Sequence, residues 1–324
     1  MSENIVYGFQ GEVVSNWKAV KTYLSNTSPK EVVSVLGIWG NLGHYLWNEL
    51  GGIQYLSDNG ILNKINKFLI GWYSALNVAD IFPDEVSQDQ LIKFSDPRNL
   101  SKIILENNYF AVRITDILIQ EKLARAISQS AVKKSSLDFL NEIETAKQSF
   151  PLIWINLRSH NKSWISQIEG YANIINHLYQ DYPNLAVVFD GFVSEKTTMD
   201  KIVALIPSSI KTYNALDCPI YESIVWANAI DTYIAIIGSG LTLVTWIANK
   251  PGVAHSNIPH SGQAGWWHNV RENAIPPVAI PGHYIIDLDE SHEGYCNYDL
   301  DWKIIYEELL KIIKNLKNER GSIA

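Results

Sequence analysis

Short apolar runs alternate with stretches of helical period along this chain, most clearly from about residue 150. PLIWINLR (151–158) suits a strand buried on both faces. Beyond it Trp164, Ile168, Tyr171, Ile175 and Leu178 recur at spacings of three and four, which predicts a helix with one buried face. Pro183-Asn184 ends that helix, and LAVVFD (185–190) reads as the next strand. A helix over 197–205 leads to IKTYNA (210–215), and a helix from about Tyr221 leads to YIAIIG (233–238). LTLVTWIAN (241–249) reads as helical and GVAH (252–255) as a strand. Strands alternating with helices through short links predict a parallel sheet covered on both faces.

The first half repeats the theme less regularly. EVVSVLG (31–37), KFLIG (67–71) and YFAVR (109–113) read as strands, with a helix over 43–56 and another over 116–128 capped by Asp116. The polar helical stretch 129–149 has no strong apolar stripe and reads as the connection between domains. The pattern therefore predicts an α/β protein of two Rossmann-like domains facing a cleft, 1–145 and 146–324. The last helix, 302–317, would bury Ile304, Ile305, Leu309, Ile312, Ile313 and Leu316 and could pack back across the domain boundary.

Composition narrows the function. With 26 Lys and Arg against 34 Asp and Glu, the net charge of -8 argues against a nucleic-acid partner, so an anionic ligand must meet a local cationic site. Aromatics make up 11% of the chain, a composition that suits stacking on sugar or base faces as well as core packing. Cys218 and Cys296 alone make neither a disulfide framework nor a zinc cage. The opening MSENIVYGFQGEVVSNWK lacks the features of a signal peptide, and no stretch has the length of an apolar membrane span. A cytoplasmic location is expected, with peripheral membrane contact left open.

Ligands of such folds bind beyond the carboxyl ends of the strands, so the chemistry is sought there. In IIGSGLTLVTWIANKPGVAH (236–255) a strand ends in Gly238-Ser239-Gly240 and a helix begins near Leu241 and Thr242. Glycines let the backbone approach a ligand, and the N–H groups at a helix start favour a phosphate. Leu243 in place of a third glycine excludes a dinucleotide fingerprint, and Ile237 and Leu241 exclude a nucleophile elbow around Ser239. Arg158, Ser159, His160, Asn161 and Lys162 follow the strand at 152–157, where the two cations suit a diphosphate. Asp190-Gly191 ends the next strand, its carboxylate a candidate partner for a sugar hydroxyl.

In WGNLGHYLWNEL (39–50), His44 lies near a helix start, which disfavours the imidazolium and suits a general base. The loop 255–273 holds His255, His260, Trp266, Trp267, His268, Arg271 and Glu272; Arg271 is a further candidate cation for the cleft. Histidine spacings of five and eight match no metal-ligand pattern, so no metal is expected. Asp287-Leu288-Asp289 resembles an Asp-X-Asp cation-binding element, although a parallel two-domain layout is the wrong setting for it.

The stretch AIDTYIAIIGSGLTLVTWIANKPGVAH resembles the donor-domain element of GT-B type glycosyltransferases, in which a small-residue turn and a helix precede Lys-Pro-Gly. Bacterial heptosyltransferases carry a similar stretch. GNLGHYLWNEL (40–50) is similar to the Asn-X-X-His element of capsular and xylosyl- or N-acetylglucosaminyltransferases. The resemblance implies sugar transfer from a nucleotide sugar to a hydroxyl of a glycan, lipid-linked or protein acceptor in bacterial glycan or glycoconjugate synthesis. It implies inversion and neither a cofactor nor an obligatory metal. His44 would be the base, while Arg158, Lys162, Gly238, Ser239, Gly240, Leu241 and Thr242 would hold the donor diphosphate. Asp190, Glu272, Trp267 and His268 would be candidates for the ribose or sugar. A polysaccharide pyruvyl transferase of similar build and an inactive GT-B-like binding protein are the alternatives.

Overall fold

In the computed structural model, which describes residues 10–115, 117–288 and 294–323, the apolar runs become the strands of two separate sheets. The chain divides into two compact units, one up to Leu118 and one from Ile119 onward. This division lies earlier than the 145/146 boundary expected from the sequence.

The first unit holds four parallel strands: β1 (Glu31–Leu36), β2 (Lys67–Ile70), β3 (Leu91–Lys93) and β4 (Tyr109–Val112). Their order is β3-β2-β1-β4. Val33, Val35 and Leu69 form its core with Phe94 and Tyr109. The helix after β1 starts at Leu42, widens into a π-helical stretch over Tyr45–Leu50 and resumes as an α-helix over Gly51–Asp58. The short β3 and the helix Leu100–Glu106 carry too little periodicity to stand out in the sequence.

The second unit holds a six-stranded parallel sheet: β5 (Leu152–Asn156), β6 (Ala186–Gly191), β7 (Lys211–Leu216), β8 (Thr232–Ile236), β9 (Gly252–His255) and β10 (Val278–Ala279). Their order is β7-β6-β5-β8-β9-β10, the Rossmann arrangement in which the crossovers reverse direction at the first strand. All five residues of β5 are buried, as are all five of β8, which explains why both are apolar apart from Asn156 and Thr232 at their ends.

Helices cover this sheet. Gln167–Asp181 buries Tyr171, Ile175 and Leu178, while Trp164 precedes the helix and fills the core from the loop. Helices Glu121–Lys134 and Leu137–Ala146 replace the expected polar connection, with Leu123, Ile127, Ile143 and Ala146 buried. The first of these starts later than expected, and its anticipated cap, Asp116, lies outside the described residues. The last helix, Trp302–Ile323, buries Ile305, Leu309 and Ile313 in the second unit's core, and its Trp302 ring packs on His177. A single turn over Gly282–Tyr284 is followed by β11 (Ile286–Asp287), antiparallel to β12 (Tyr298–Asp299). No helix among the described residues is long and apolar enough to cross a membrane.

Candidate functional site

The strand order of the second unit opens a crevice at the carboxyl ends of β5 and β8, where the crossovers part to opposite faces. β5 leaves through Asn156, Leu157 and Arg158, and β8 through Ile237 and Gly238. Lys162, in the loop after β5, is 4% exposed, and its Nζ donates to the Ile237 carbonyl at 3.1 Å. The loop doubles back through a positive φ of 47° at Lys162 itself. Gly238 has φ 150°, and a Cβ there would lie 3.1 Å from Lys162 Nζ. At Gly240 a Cβ would come within 2.6 Å of Asn156 Oδ1. These two positions need glycine for conformation and space, so the turn draws close to both β5-end side chains.

Asn156 Nδ2 in turn donates to Asp190 Oδ2 at 2.7 Å, linking the mouths of β5 and β6. Thr242 is buried and its hydroxyl donates to the Ser239 carbonyl at 2.7 Å, so it braces the turn, while Leu241 N–H donates to the Gly238 carbonyl at 3.0 Å. Ser239 stays exposed. The half-buried Arg158 guanidinium donates through Nε to the Asn161 carbonyl at 2.7 Å.

The electrostatics favour an anion. Burial pushes the Lys162 ammonium down to about 8, and the nearby Arg158 charge adds to that shift. Burial likewise lowers Arg158. Two desolvated cations at one strand end would both be relieved by a bound phosphate. Asp190 moves the other way: enclosure of its carboxyl pushes it up to about 7, against hydrogen bonds from Asn156 and the Gly191 N–H. His160 is exposed, 3.8 Å from the fully buried Glu195 carboxylate, which also accepts from Ser159.

In the first unit the corresponding strand ends are those of β1 and β4. Asn41 caps the helix by accepting from the N–H groups of Gly43 at 2.8 Å and His44 at 3.3 Å. His44 is exposed, its ring tilted against Trp39 at 5.3 Å between centroids, with Nδ1 2.6 Å from Asn48 Oδ1. One residue on, Glu49 is 1% exposed; it accepts from the Gly37 N–H and from Arg113 Nη2 at 3.3 Å. Burial raises the Glu49 carboxyl, and Gly37, Arg113 and His44 hold that rise back. The Arg113 guanidinium also lies 5.6 Å from the Trp39 ring centre.

The structure thus gathers Arg158, Lys162, Asp190 and the Gly238–Thr242 turn at one crevice and sets His44 at the first unit's strand ends. It uses other candidates differently. Arg271 is 4% exposed and donates to the Trp246 carbonyl at 2.8 Å and to Glu121 Oε2 at 2.8 Å. Glu272 accepts the Glu121 N–H at 3.0 Å, capping the helix that starts there. Trp267 is 7% exposed and stacks on Trp246 at 4.8 Å, so its ring is packed; its neighbour Trp266 is 59% exposed. His268 follows in the same short helix, partly buried.

His255 is fully buried between the hydroxyls of Tyr171, 3.2 Å from Nε2, and Tyr298, 2.7 Å from Nδ1. Burial pulls it down to about 3, which makes it a neutral core group. His260 Nδ1 pairs with Asn257 Oδ1 at 2.9 Å. Asp287 Oδ1 accepts the Ile258 N–H at 3.1 Å, and Asp289 lies outside the described residues. Among the described residues no three His, Cys, Asp or Glu side chains gather as a metal site would require.

Asn156, Glu49 and Arg113 were not singled out by motif. The signal for Asn156 is one amide at the end of an otherwise apolar buried strand. For Glu49 it is an acid between Leu46 and Leu50 on the apolar face of a helix.

No protein-family model matches this sequence, and no curated protein matches it. Among solved structures, the chain is similar to the E. coli ADP-heptose LPS heptosyltransferase II, with 11% identity and a TM-score of 0.51 over 89% of this chain and 100% of that one. The fold is of the GT-B type. Other similar structures are the Veillonella parvula glycosyl transferase of family 9, at 10% identity and TM-score 0.45 over 91% of this chain and all of that one. The S. aureus MnaA–UDP structure follows at 11% identity and TM-score 0.38, over 95% of this chain and 71% of that one. In this GT-B fold the second unit supplies the full six-stranded Rossmann sheet and the first a four-stranded half of the same order.

Proposed function

We propose that the protein is a glycosyltransferase moving a sugar from a nucleotide-sugar donor to an acceptor hydroxyl, with inversion and without an obligatory metal, in bacterial glycan or glycoconjugate synthesis. The observation that carries this reading is the buried Lys162 ammonium against the Ile237 carbonyl and the Gly238 turn at the sheet's switch point, with the Arg158 charge near it. Both cations are desolvated there, which suits a diphosphate whose charge grows as it departs. In the reaction, His44 takes the proton of the acceptor hydroxyl. The oxygen then bonds to the anomeric carbon as the bond from that carbon to the diphosphate breaks. The electron pair leaves with the phosphate oxygen, neutralised by Arg158 and Lys162. Attack from the face opposite the leaving group inverts the centre. Asp190, held by Asn156, is the candidate carboxyl for a ribose or sugar hydroxyl.

The test is a melting-temperature screen against UDP, GDP, ADP and phosphoenolpyruvate. A ligand at one hundred times its Kd stabilises by about 2.7 kcal/mol, readily seen as a shift. A nucleoside diphosphate response lost in Lys162→Ala is expected. A response to phosphoenolpyruvate alone would move the protein to pyruvyl transfer. Nucleotide binding with no turnover of any nucleotide sugar would leave a binding protein of GT-B build.

A further inference from the structure

The hydrogen bond between His44 and Asn48 bears on which ring nitrogen can act, a question that rests on the transferase reading above. Asn48 is 7% exposed, one helical turn after His44, and its Oδ1 faces His44 Nδ1 at 2.6 Å. An amide oxygen has no proton to give. The ring nitrogen facing it must therefore carry the hydrogen, which leaves the lone pair on Nε2. The Trp39 ring, 5.3 Å away, limits rotation of the exposed imidazole. The π-helical stretch Tyr45–Leu50 carries Asn48 and Glu49 together, so one widened turn sets both the amide and the buried acid.

We infer that Asn48 is a positioning residue: by accepting from Nδ1–H it holds His44 in the tautomer whose Nε2 can take the acceptor's proton. Among the described residues, the charged groups near this histidine are the Glu49 carboxylate on the same helix and, through Glu49 and Trp39, the Arg113 guanidinium just after β4. Glu49 is already engaged by Gly37 and Arg113, so orienting the ring falls to the neutral amide.

Long-range proton–nitrogen NMR of protein labelled with 15N-histidine reads the tautomer, with His44→Ala assigning the signal. In the wild type Nδ1 should carry the proton. Asn48→Leu, close in shape but without an acceptor, should move the proton to Nε2. It should also lower kcat by roughly 10- to 100-fold, with the acceptor KM within a few-fold, the loss of a misdirected general base. Asn48→Asp restores an acceptor and should keep both the Nδ1–H tautomer and most of kcat, a rescue that a purely packing role does not predict. It also serves as the second variant if Asn48→Leu fails to fold. Wild-type protein protonated on Nε2, or Asn48→Leu with tautomer and kcat unchanged, overturns the inference. The tautomer is read without substrate, so it decides the orientation of His44 even if the protein transferred no sugar.

Discussion

The two units solve one topological problem with opposite chemistry. Each has a first strand flanked by its second and fourth, β1 in one unit and β5 in the other, and so a switch point at the carboxyl ends. At β5 the loop returns two cations, Arg158 and Lys162, and the buried Lys162 ammonium rests against a carbonyl. At β1 the cation Arg113 meets a buried carboxylate, Glu49, and the exposed group is a histidine held by an amide. The topology selects the place, and the local charge selects what can bind there. The β5 end carries two cations without a carboxylate salt bridge among the described residues, whereas the β1 end pairs its cation with a carboxylate and presents a histidine.

The sharpest way to break this contrast is His44→Ala. Transfer should fall by about 10²- to 10⁴-fold, the range of general-base loss, while calorimetry shows nucleoside diphosphate affinity within a few-fold of wild type. Retained turnover would remove the base from the first unit.

A smaller effect separates the two arginines. Arg158→Ala should weaken nucleoside diphosphate binding by roughly 10- to 100-fold, as expected for charged hydrogen bonds. Arg113→Ala should leave that affinity unchanged and cost about 1–3 kcal/mol of stability in denaturant, because Glu49 loses a partner in a buried setting. Equal effects of both variants on nucleotide affinity would erase the distinction.

Lys162 gives the contrast a pH signature. Its free ammonium titrates at about 8, so nucleotide affinity should hold below that pH and fall above it, by up to roughly tenfold per unit. Lys162→Arg should flatten the profile. The stability sign is opposite: the folded amine holds its proton less tightly than the unfolded one, so this group's contribution to stability rises from pH 8 toward 10.5. The smallest expected effect is that of Glu272→Gln, a loss of about 0.3–1 kcal/mol from a weaker helix cap, with nucleotide affinity unchanged. A large loss of affinity would assign Glu272 to the ribose instead.

Much of the sheet architecture was legible because strands buried on both faces are mostly apolar, as LIWIN, AVVF and TYIAI are. β3 was not, since three residues show no period. At the candidate site, the glycines of the β8 turn and the cations after β5 stood out because turn chemistry and charge are local. What eluded the sequence was partnership at long range. Nothing in HSNIPHSGQAGWWHNVREN announces that Arg271 meets an acid 150 positions earlier, or that Trp267 stacks on Trp246. Nor does an asparagine in a strand announce that it will brace both a neighbouring carboxyl and a glycine turn, as Asn156 does.

The partnership of Arg271 and Glu272 with Glu121 reaches beyond chemistry. Ile119 N–H donates to the Val270 carbonyl at 2.8 Å and Glu272 N–H to the Ile119 carbonyl at 2.9 Å, so the chain is clipped to the second unit where that unit begins. The helices that follow cover Trp226, against which Phe139 packs edge-on at 6.0 Å. A gene cut to start at residue 146 would strip that cover and the clip together, whereas one starting at Ile119 keeps both. The second unit is therefore a cassette with its own seal, and exchange of first units between proteins of this fold should be spliced ahead of residue 119.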